Sequence, residues 1–297
     1  MITLYALVGV DPHILNFALF RKFLEHYRAS GIRDFIFDLH TGRGDMAKVA
    51  EYRALAESHG AVIRHVVDEP FSVKDLQFRL LNSLVQELSG SNHWCLPVDS
   101  DEFIKFPGGD AVAFFAECDR GGYNAVIGNL LDRFSLDPPF AEIDEARSLD
   151  ELFPWAYPLT RLIRKGWDRK VVAFKGRFTL INGHHGLDRE FGRIAAQLEY
   201  SFLNLVDRFR SARLRRFFRR VYPYLEFPAP GIRRWPGRLE IHHMAWDSLL
   251  REKMIARLQL KGRALREYHN VLRFLDEADL GRRLRGHLLE KVSLVAG

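Results

Sequence analysis

Apolar positions in the first hundred residues follow two alternating patterns. Short apolar runs, typical of buried strands, separate longer stretches in which apolar residues recur at helical spacing. The predicted strands are 2–10, 34–39, 61–67 and a fourth run that ends at Asp99, and the predicted helices are 14–28, 47–59 and 74–88. This order predicts an α/β fold with a mostly parallel sheet and right-handed crossovers.

The pattern becomes looser after Phe103. We predict strands over 123–131 and 238–245, and one or two strands over 170–182. The remaining segments are a polar connection over 137–158, a helical stretch over 190–222, a proline-rich crossing over 223–236 and a largely helical, basic end from residue 247. We therefore expect an α/β domain over 1–246 and a C-terminal helical extension over 247–297.

The positive charge is concentrated in one segment. The 297 residues carry a net charge of +6, and seven arginines lie between Arg208 and Arg220. On a helix over about 200–222, Leu214, Phe217 and Phe218 cluster on one side and most arginines occupy the rest. Such a basic amphipathic helix is typical of contact with an anionic membrane surface, and the alternative is packing of its apolar side on its own domain. No recognised nucleic-acid module accompanies the charge, which argues against nucleic acid as a partner.

Composition also limits the compartment. The two cysteines, Cys95 and Cys118, form no disulfide framework or zinc motif, which indicates a reducing environment. The apolar start of the chain has no basic leader and is too short to span a bilayer, and no later run is long enough. We expect a cytoplasmic protein, peripheral at most on the inner face of the cell membrane.

Three acidic residues follow the fourth predicted strand: Asp99, Asp101 and Glu102. Ligands of parallel sheets bind outside the carboxyl ends of the strands, so these acids are placed to face a ligand crevice. Carboxylates this close repel each other unless a cation compensates, and oxygen ligands suit Mg²⁺ or Mn²⁺, which usually bridge to substrate phosphates. The alternative is that the aspartates only cap a loop.

Two pairs of histidines add to this. His242 and His243 lie in the predicted strand 238–245, so their side chains point to opposite faces, and His243 shares the apolar face. A neutral imidazole there completes a carboxylate-rich metal site, and the alternative is a hydrogen-bonded core residue. The other pair, His184-His185, is flanked by glycines, which favour a loop or turn.

A family resemblance rests on these residues and several others. The Asp99-Ser100-Asp101-Glu102-Phe103 block, which follows a strand led by Trp94, resembles the D-x-D-E-F metal motif of bacterial family 2-type glycosyltransferases. The resemblance spans roughly residues 1–262. Its looser parts are His26-Tyr27, Gly31, Gln77, Asn82, Asp132-Arg133, Phe153-Pro154, Lys170, Gly183-His184-His185 and His242-His243.

This resemblance implies a GT-A type, Rossmann-like fold and a nucleotide-diphospho-sugar donor whose diphosphate is held by Mn²⁺ or Mg²⁺. By position, Asp101 ligates the metal, Asp99 faces the ribose and the water shell of the metal, and His243 is a late metal ligand or diphosphate contact. A cation stabilises the charge on a departing nucleoside diphosphate. The other donor-binding residues that it implies, two of them positively charged, are Asp38, Asn82, Arg133, Lys170 and His185.

The sequence departs from this family at two places. Gly9-Val10-Asp11-Pro12 stands where the first strand usually ends in an Asn-Glu contact. The short acidic motif after the second strand is stretched, from Asp38 to Asp45. Both departures concern the nucleoside pocket.

An inverting transfer also needs a carboxylate that takes the proton of the acceptor hydroxyl. Asp188 is the first candidate, because it follows the His184-His185 loop on a later part of the chain, and Asp132 and Glu190 are the reserves. The alternative for Asp188 is charge compensation at a helix N-terminus.

The function predicted is metal-dependent transfer of a sugar to a saccharide or lipid-linked acceptor in cell-surface polysaccharide or glycolipid synthesis. One alternative is a metal-dependent phosphohydrolase that uses the same acids. The other is a non-catalytic adaptor at the membrane surface with a degenerate α/β core.

Overall fold

The structure is a computed structural model of the 297-residue chain. It describes twelve stretches of the chain: residues 1–10, 15–41, 45–69, 76–88, 92–136, 140–160, 168–176, 179–181, 186–188, 231–258, 265–276 and 290–291. The basic segment over about 200–222 and the loop with His185 lie outside the described residues.

The main sheet has a parallel half and an antiparallel half. Its strands are β1 Ile2–Gly9, β2 Asp34–His40, β3 Ala61–Val67, β4 Trp94–Pro97, β5 Glu102–Lys105, β6 Ala125–Phe134, β7 Trp155–Tyr157, β8 Arg169–Lys175, β11 Leu239–His243 and β12 Glu290–Lys291. The order along it is β12-β7-β6-β8-β4-β1-β2-β3, and β11 joins β5 to β6. Strands β3, β2, β1 and β4 are parallel, while β8 pairs antiparallel with β4 and β6. A separate hairpin contains β9 Thr179–Ile181 and β10 Gly186–Asp188.

The helices flank this sheet. They are α1 Phe17–Ala29, α2 Met46–Ser58, α3 Phe78–Leu88, α4 Ala111–Arg120, α5 Leu149–Leu152, α6 Leu250–Leu258 and α7 Leu265–Leu275. Helix α1 begins where the Asn16 side chain accepts the backbone N–H of Ala18 at 2.8 Å, and its apolar face packs on the sheet. The predicted α/β fold is therefore confirmed, with the predicted parallel arrangement in β3, β2, β1 and β4. The first three strands agree with their predicted ranges to within a residue at each end.

Strand β11 is the element that assembles the later part of the chain. It lies between β5, to which it is antiparallel, and β6, to which it is parallel. Gly128 on β6 permits the close approach, because a Cβ atom there would lie 2.8 Å from the side chain of Ile241. Residues more than a hundred positions apart thus become neighbours at one end of the sheet.

Three parts of the later chain differ from the sequence prediction. Helix α4, capped by the Asp110 side chain, was not predicted. Strand β7 and the single turn α5 lie inside the predicted polar connection. Strand β12 lies inside the predicted helical extension and pairs with β7. Helices α6 and α7 share an apolar cluster with Phe134 and Trp246, and the division of the chain at residue 246 stays a prediction. Across the residues that are described, no helix has both the length and the apolar character needed to cross a bilayer.

Candidate functional site

Two acidic side chains and one histidine side chain form a row across three adjacent strands. His243 on β11 is the register partner of Glu102 on β5 and of Asp132 on β6. Register partners on neighbouring strands point to the same face of a sheet, so these side chains converge. The next residue in each direction, such as His242 or Arg133, points to the opposite face.

Asp132 is the most deeply buried residue of this row. It is fully buried and its carboxylate accepts four hydrogen bonds, from Thr160 N at 2.5 Å, Thr160 Oγ1 at 2.7 Å, His243 Nδ1 at 2.7 Å and Trp246 Nε1 at 2.9 Å. Burial alone would raise the pKa of Asp132, but His243 first and Thr160 after it lower the pKa. A carboxylate that is buried and fully occupied cannot reach an acceptor hydroxyl. The structure therefore does not support Asp132 as the catalytic base, and assigns it to orienting His243.

His243 connects Asp132 to Asp101. Its Nδ1 is bonded to Asp132, so its Nε2 is directed towards Asp101, 3.7 Å from Oδ2. Although burial opposes the imidazolium, Asp101 and Asp132 raise the pKa of His243 to about 10. Burial likewise opposes the charge of Asp101, but His243 lowers the pKa of that carboxyl to about 2. Asp101 and His243 thus form an ion pair, and both are residue types that bind metal ions.

Lys170 is the cation inside the acidic turn, the segment from Asp99 to Glu102. Its Nζ lies 2.6 Å from Asp99 Oδ2 and also contacts Glu102 Oε1, while Gln77 Nε2 donates to Asp99 Oδ1 at 2.9 Å. Burial opposes its charge, but Asp99 and Glu102 hold the pKa of Lys170 above its usual value. Burial raises the pKa of Glu102 to about 7 even with Lys170 beside it. The predicted repulsion within the acid cluster is therefore relieved by an internal lysine and by one carboxyl that protonates readily.

The backbone of the turn is held from two sides. Met244 N, directly after His243, donates to Asp101 O at 2.8 Å. On the other side the Tyr27 hydroxyl, on α1, donates to Glu102 O at 2.9 Å and accepts from Ile104 N at 3.1 Å. The two bonds of Tyr27 are buried, and together the three contacts make the position of the acidic residues depend on α1 and on the segment after β11.

The donor set fits a divalent cation that completes its coordination with substrate. A carboxylate, Asp101, and an imidazole nitrogen, His243 Nε2, face each other, and Asp132 fixes the ring orientation, as carboxylates commonly do for ligating histidines. Within the described residues, no three His, Cys, Asp or Glu side chains are grouped so as to hold a metal ion. Mg²⁺ and Mn²⁺ are usually bound by one or two protein side chains together with phosphates and water. The carboxylate oxygens of Asp99 accept from Gln77 and Lys170, and its predicted contact with the metal stays a prediction.

Two predicted donor-binding residues are buried away from the crevice. Arg133 is fully buried and donates to Phe153 O at 2.7 Å, His242 Nδ1 at 2.7 Å and Asp150 Oδ1 at 2.9 Å. Its place on β6, one residue after Asp132, turns it to the opposite face. The structure does not support it as a diphosphate contact.

Asp38 is also fully buried. It accepts hydrogen bonds from Tyr5 Oη at 2.8 Å, Arg64 Nη2 at 2.8 Å and His65 Nδ1 at 2.9 Å. These three partners occupy both of its oxygens, so a ribose hydroxyl has no access to it in this conformation. The structure gives Asp38 a structural role and does not support the predicted contact with the donor.

The remaining predicted residues lie on or near the β9–β10 hairpin. Asn82, on α3, accepts the backbone N–H of Leu180 through Oδ1 at 3.4 Å and so ties α3 to β9. Asp188 is the last residue of β10 and pairs with Thr179, which is strand rather than the predicted helix start. His185 and Glu190 lie outside the described residues. The roles predicted for Asn82, Asp188 and His185 stay predictions.

Three buried residues of the segment after β11 were not singled out from the sequence. Trp246 bonds Asp132, and Asp247 forms a buried ion pair with Lys253, with Nζ 2.8 Å from Oδ2. Asp247 and Lys253 are six positions apart, a spacing with no regular periodicity. The one local signal was Asp247 itself, because an aspartate is a common N-cap residue of a helix. Its Oδ1 accepts the backbone N–H of Leu249 at 3.0 Å.

Comparisons with known proteins give no family assignment. No family model matches the chain, and no curated protein matches it. Among solved structures it is similar to a putative glucose-1-phosphate thymidylyltransferase from Bacillus anthracis in complex with a sucrose, at 13% identity and a TM-score of 0.35 over 91% of this chain and 99% of that chain. It is also similar to S. aureus TarS, at 12% identity and a TM-score of 0.32 over 92% of this chain and 42% of that chain. TarS 1-349 in complex with UDP-GlcNAc matches at 11% identity and a TM-score of 0.33, over 93% of this chain and 71% of that chain. At TM-scores of this size the likeness establishes neither a shared fold nor a shared activity.

Proposed function

We propose that the chain is a divalent-cation-dependent glycosyltransferase that moves a sugar from a nucleotide-diphospho-sugar to a saccharide or lipid-linked acceptor. The observation that carries the proposal is the Asp101–His243–Asp132 arrangement at the carboxyl end of the parallel strands. His243 Nε2 faces Asp101 at 3.7 Å while Asp132 holds Nδ1 at 2.7 Å. The D-x-D-E-F resemblance supports the same reading.

Asp101 and His243 are the residues that would hold Mn²⁺ or Mg²⁺. When bound, such a cation neutralises charge on the donor diphosphate and on the departing nucleoside diphosphate. His243 would give up its Nε2 proton in order to hold the cation, and Asp132 would keep the ring oriented by accepting from Nδ1. Lys170 holds Asp99 and Glu102 in place and adds fixed positive charge nearby.

The transfer itself forms one bond and breaks one. The acceptor oxygen attacks the anomeric carbon from the side opposite the leaving group, and the bond from that carbon to the diphosphate oxygen breaks. Its electron pair stays on the phosphate, and the hydroxyl proton passes to a carboxylate, which we place at Asp188. This geometry gives inversion at the anomeric carbon. We place the activity in cell-surface polysaccharide or glycolipid synthesis, in the cytoplasm and at the inner membrane face.

The proposal is tested by nucleoside diphosphate release from a panel of nucleotide sugars with Mn²⁺, with and without saccharide acceptors. We expect release with at least one donor, and loss of it by about two orders of magnitude or more in Asp101→Asn. Asp119→Asn is the matched control, because Asp119 also forms an ion pair, with Lys175, but lies beside the start of β4, where it accepts from Trp94 Nε1.

The control should keep the parent rate. Release that is equal in Asp101→Asn and the parent, or that persists in a chelator, would overturn the metal-dependent transferase. Release of inorganic phosphate from simple phosphate esters would instead favour the phosphohydrolase.

A further inference from the structure

A half-buried tyrosine extends the row of site residues onto a fourth strand. Tyr157 on β7 is the register partner of Asp132 on β6, so both side chains point to the same face of the sheet. Asp132 is fully buried, whereas Tyr157 stays partly exposed. Neighbouring strands lie about 4.8 Å apart, which places the backbone of Tyr157 about 10 Å from that of His243. The row therefore runs from the proposed metal site to a partly exposed aromatic ring.

The segment that carries Tyr157 is fixed against Asp132. Thr160, in the segment after β7, donates to the Asp132 carboxylate through its backbone N–H at 2.5 Å and through Oγ1 at 2.7 Å. Tyr157 also packs against the apolar cluster that contains Phe134 and Trp246, and Trp246 Nε1 donates to Asp132. The core thus supports the tyrosine ring on one side and leaves part of it accessible.

A second half-buried aromatic residue packs on the same cluster in a strained backbone conformation. Among the described residues other than glycine, Phe140 is the one with a positive φ, 57°. Bulky side chains rarely adopt this left-handed conformation. The centroid of the Phe140 ring lies 6.0 Å from that of Trp246. Strained backbone is retained chiefly where it serves binding or catalysis, so the position of this ring calls for a functional reason.

The position of these two rings fits the acceptor rather than the donor. Strands β1, β2 and β3 lie on one side of the acidic turn, and β6 and β7 lie on the other. Ligands of parallel strands bind at the carboxyl ends of those strands, so the nucleoside of the donor belongs over β1 to β3. In an in-line displacement the acceptor oxygen approaches from the side opposite the departing diphosphate. The acceptor is then directed towards β6 and β7.

We propose that Tyr157 and Phe140 form the acceptor-binding surface, and that the group they bind is a sugar ring. This inference rests on the proposed function and assigns the accepting hydroxyl to a saccharide. One face of a pyranose ring presents mainly C–H groups, which pack on an aromatic ring, and small-molecule sites are commonly lined by aromatic side chains with a few polar groups. Tyr157 and Phe140 orient the acceptor, and neither takes its proton.

The test measures binding of the methyl glycosides of glucose, galactose, mannose and N-acetylglucosamine by saturation-transfer NMR. We expect at least one to bind the parent. Tyr157→Leu keeps apolar packing but lacks the ring, so it should bind that glycoside about tenfold or more weakly, while Tyr157→Phe should stay close to the parent. Phe140→Leu should weaken the same binding. Mn²⁺ alone should bind Tyr157→Leu as it binds the parent in calorimetry.

Tyr123→Leu is the matched control. Tyr123 is also a half-buried tyrosine, but it lies just before the opposite end of β6, with the Arg233 guanidinium 5.9 Å from its ring. This variant should bind the glycoside like the parent, and an equal loss in it would overturn the inference as a general structural effect. Equal affinities of Tyr157→Leu and Tyr157→Phe would overturn it as well.

The outcomes also separate this inference from the proposed function. If none of the four glycosides binds the parent while nucleoside diphosphate release from a donor persists, the inference is overturned and the proposed function stands. If a glycoside binds in a way that depends on Tyr157 and no donor releases a nucleoside diphosphate, the proposed function is overturned and a saccharide-binding surface is supported.

Discussion

The ion pair of His243 predicts how the stability of the metal-free protein depends on pH. Burial opposes the charge, but Asp101 and Asp132 raise the pKa of His243 from 6.5 to about 10 in the folded state. The folded state therefore keeps a proton that the unfolded chain releases above pH 6.5. The stabilisation is complete below that pH and is lost as the pH rises towards about 10.

The magnitude follows from the slope of this linkage. Each pH unit between the two pKa values costs about 1.4 kcal/mol, so the free energy of unfolding should fall by about 2 kcal/mol from pH 7 to 8.5. Glu102 titrates at the lower end of this interval, because burial raises the pKa of that carboxyl to about 7, and it adds a smaller fall in stability that the histidine variants share. The cysteines of the unfolded chain begin to ionise at the upper end of the interval, and the tyrosines ionise above it.

The assay is urea unfolding in a chelator at several pH values, for the parent and two glutamine variants. His243→Gln should lose most of the slope between pH 7 and 8.5. His242→Gln is the matched control, because burial, aided by Arg133, lowers the pKa of His242, which is then neutral in both states over this interval and leaves the slope unchanged. Parallel slopes for His243→Gln and the parent would refute the ion pair.

Three further perturbations separate structural residues from functional ones. Asp38→Asn should lower the free energy of unfolding by about 3 to 5 kcal/mol, since Arg64 loses its buried partner, with donor affinity unchanged in calorimetry; a selective loss of donor affinity would restore Asp38 to the site. Tyr27→Phe leaves Glu102 O and Ile104 N without their partner and should cost about 1 to 3 kcal/mol in urea unfolding, and a neutral effect would exclude this anchor. A third variant has glutamine in place of four arginines of the basic segment: Arg213, Arg215, Arg216 and Arg219. Its binding to anionic liposomes should weaken by up to about 1 kcal/mol for each charge removed. Unchanged binding would argue that the segment packs on its own domain.

Local sequence patterns were sufficient for the parallel half of the sheet. Strand β3, for example, was predicted at its observed bounds, because Gly60 ends the preceding helix and an apolar run follows it. The position of the acidic turn followed from the same order, since it comes directly after β4. These features depend on near neighbours in the chain, which periodicity records.

The composition of the site depends on distant pairings that periodicity does not record. The placement of β11 between β5 and β6 brings His243 to Asp132, 111 positions away. Asp132 and Arg133 were both assigned to the site, although consecutive side chains of a strand point to opposite faces of the sheet. The pair of Asp247 and Lys253 depends on the turn into α6, and no regular spacing indicates it.

The central claim is that Asp101 and His243 bind a divalent cation together with a diphosphate. Anomalous scattering from crystals grown with Mn²⁺ and pyrophosphate tests this directly. We expect one peak at a coordination distance of about 2.0 to 2.3 Å from both Asp101 and His243 Nε2. We also expect Asp132 to stay bonded to His243 Nδ1. A peak at another site, or a crystal with pyrophosphate bound and His243 still paired directly with Asp101, would contradict the account.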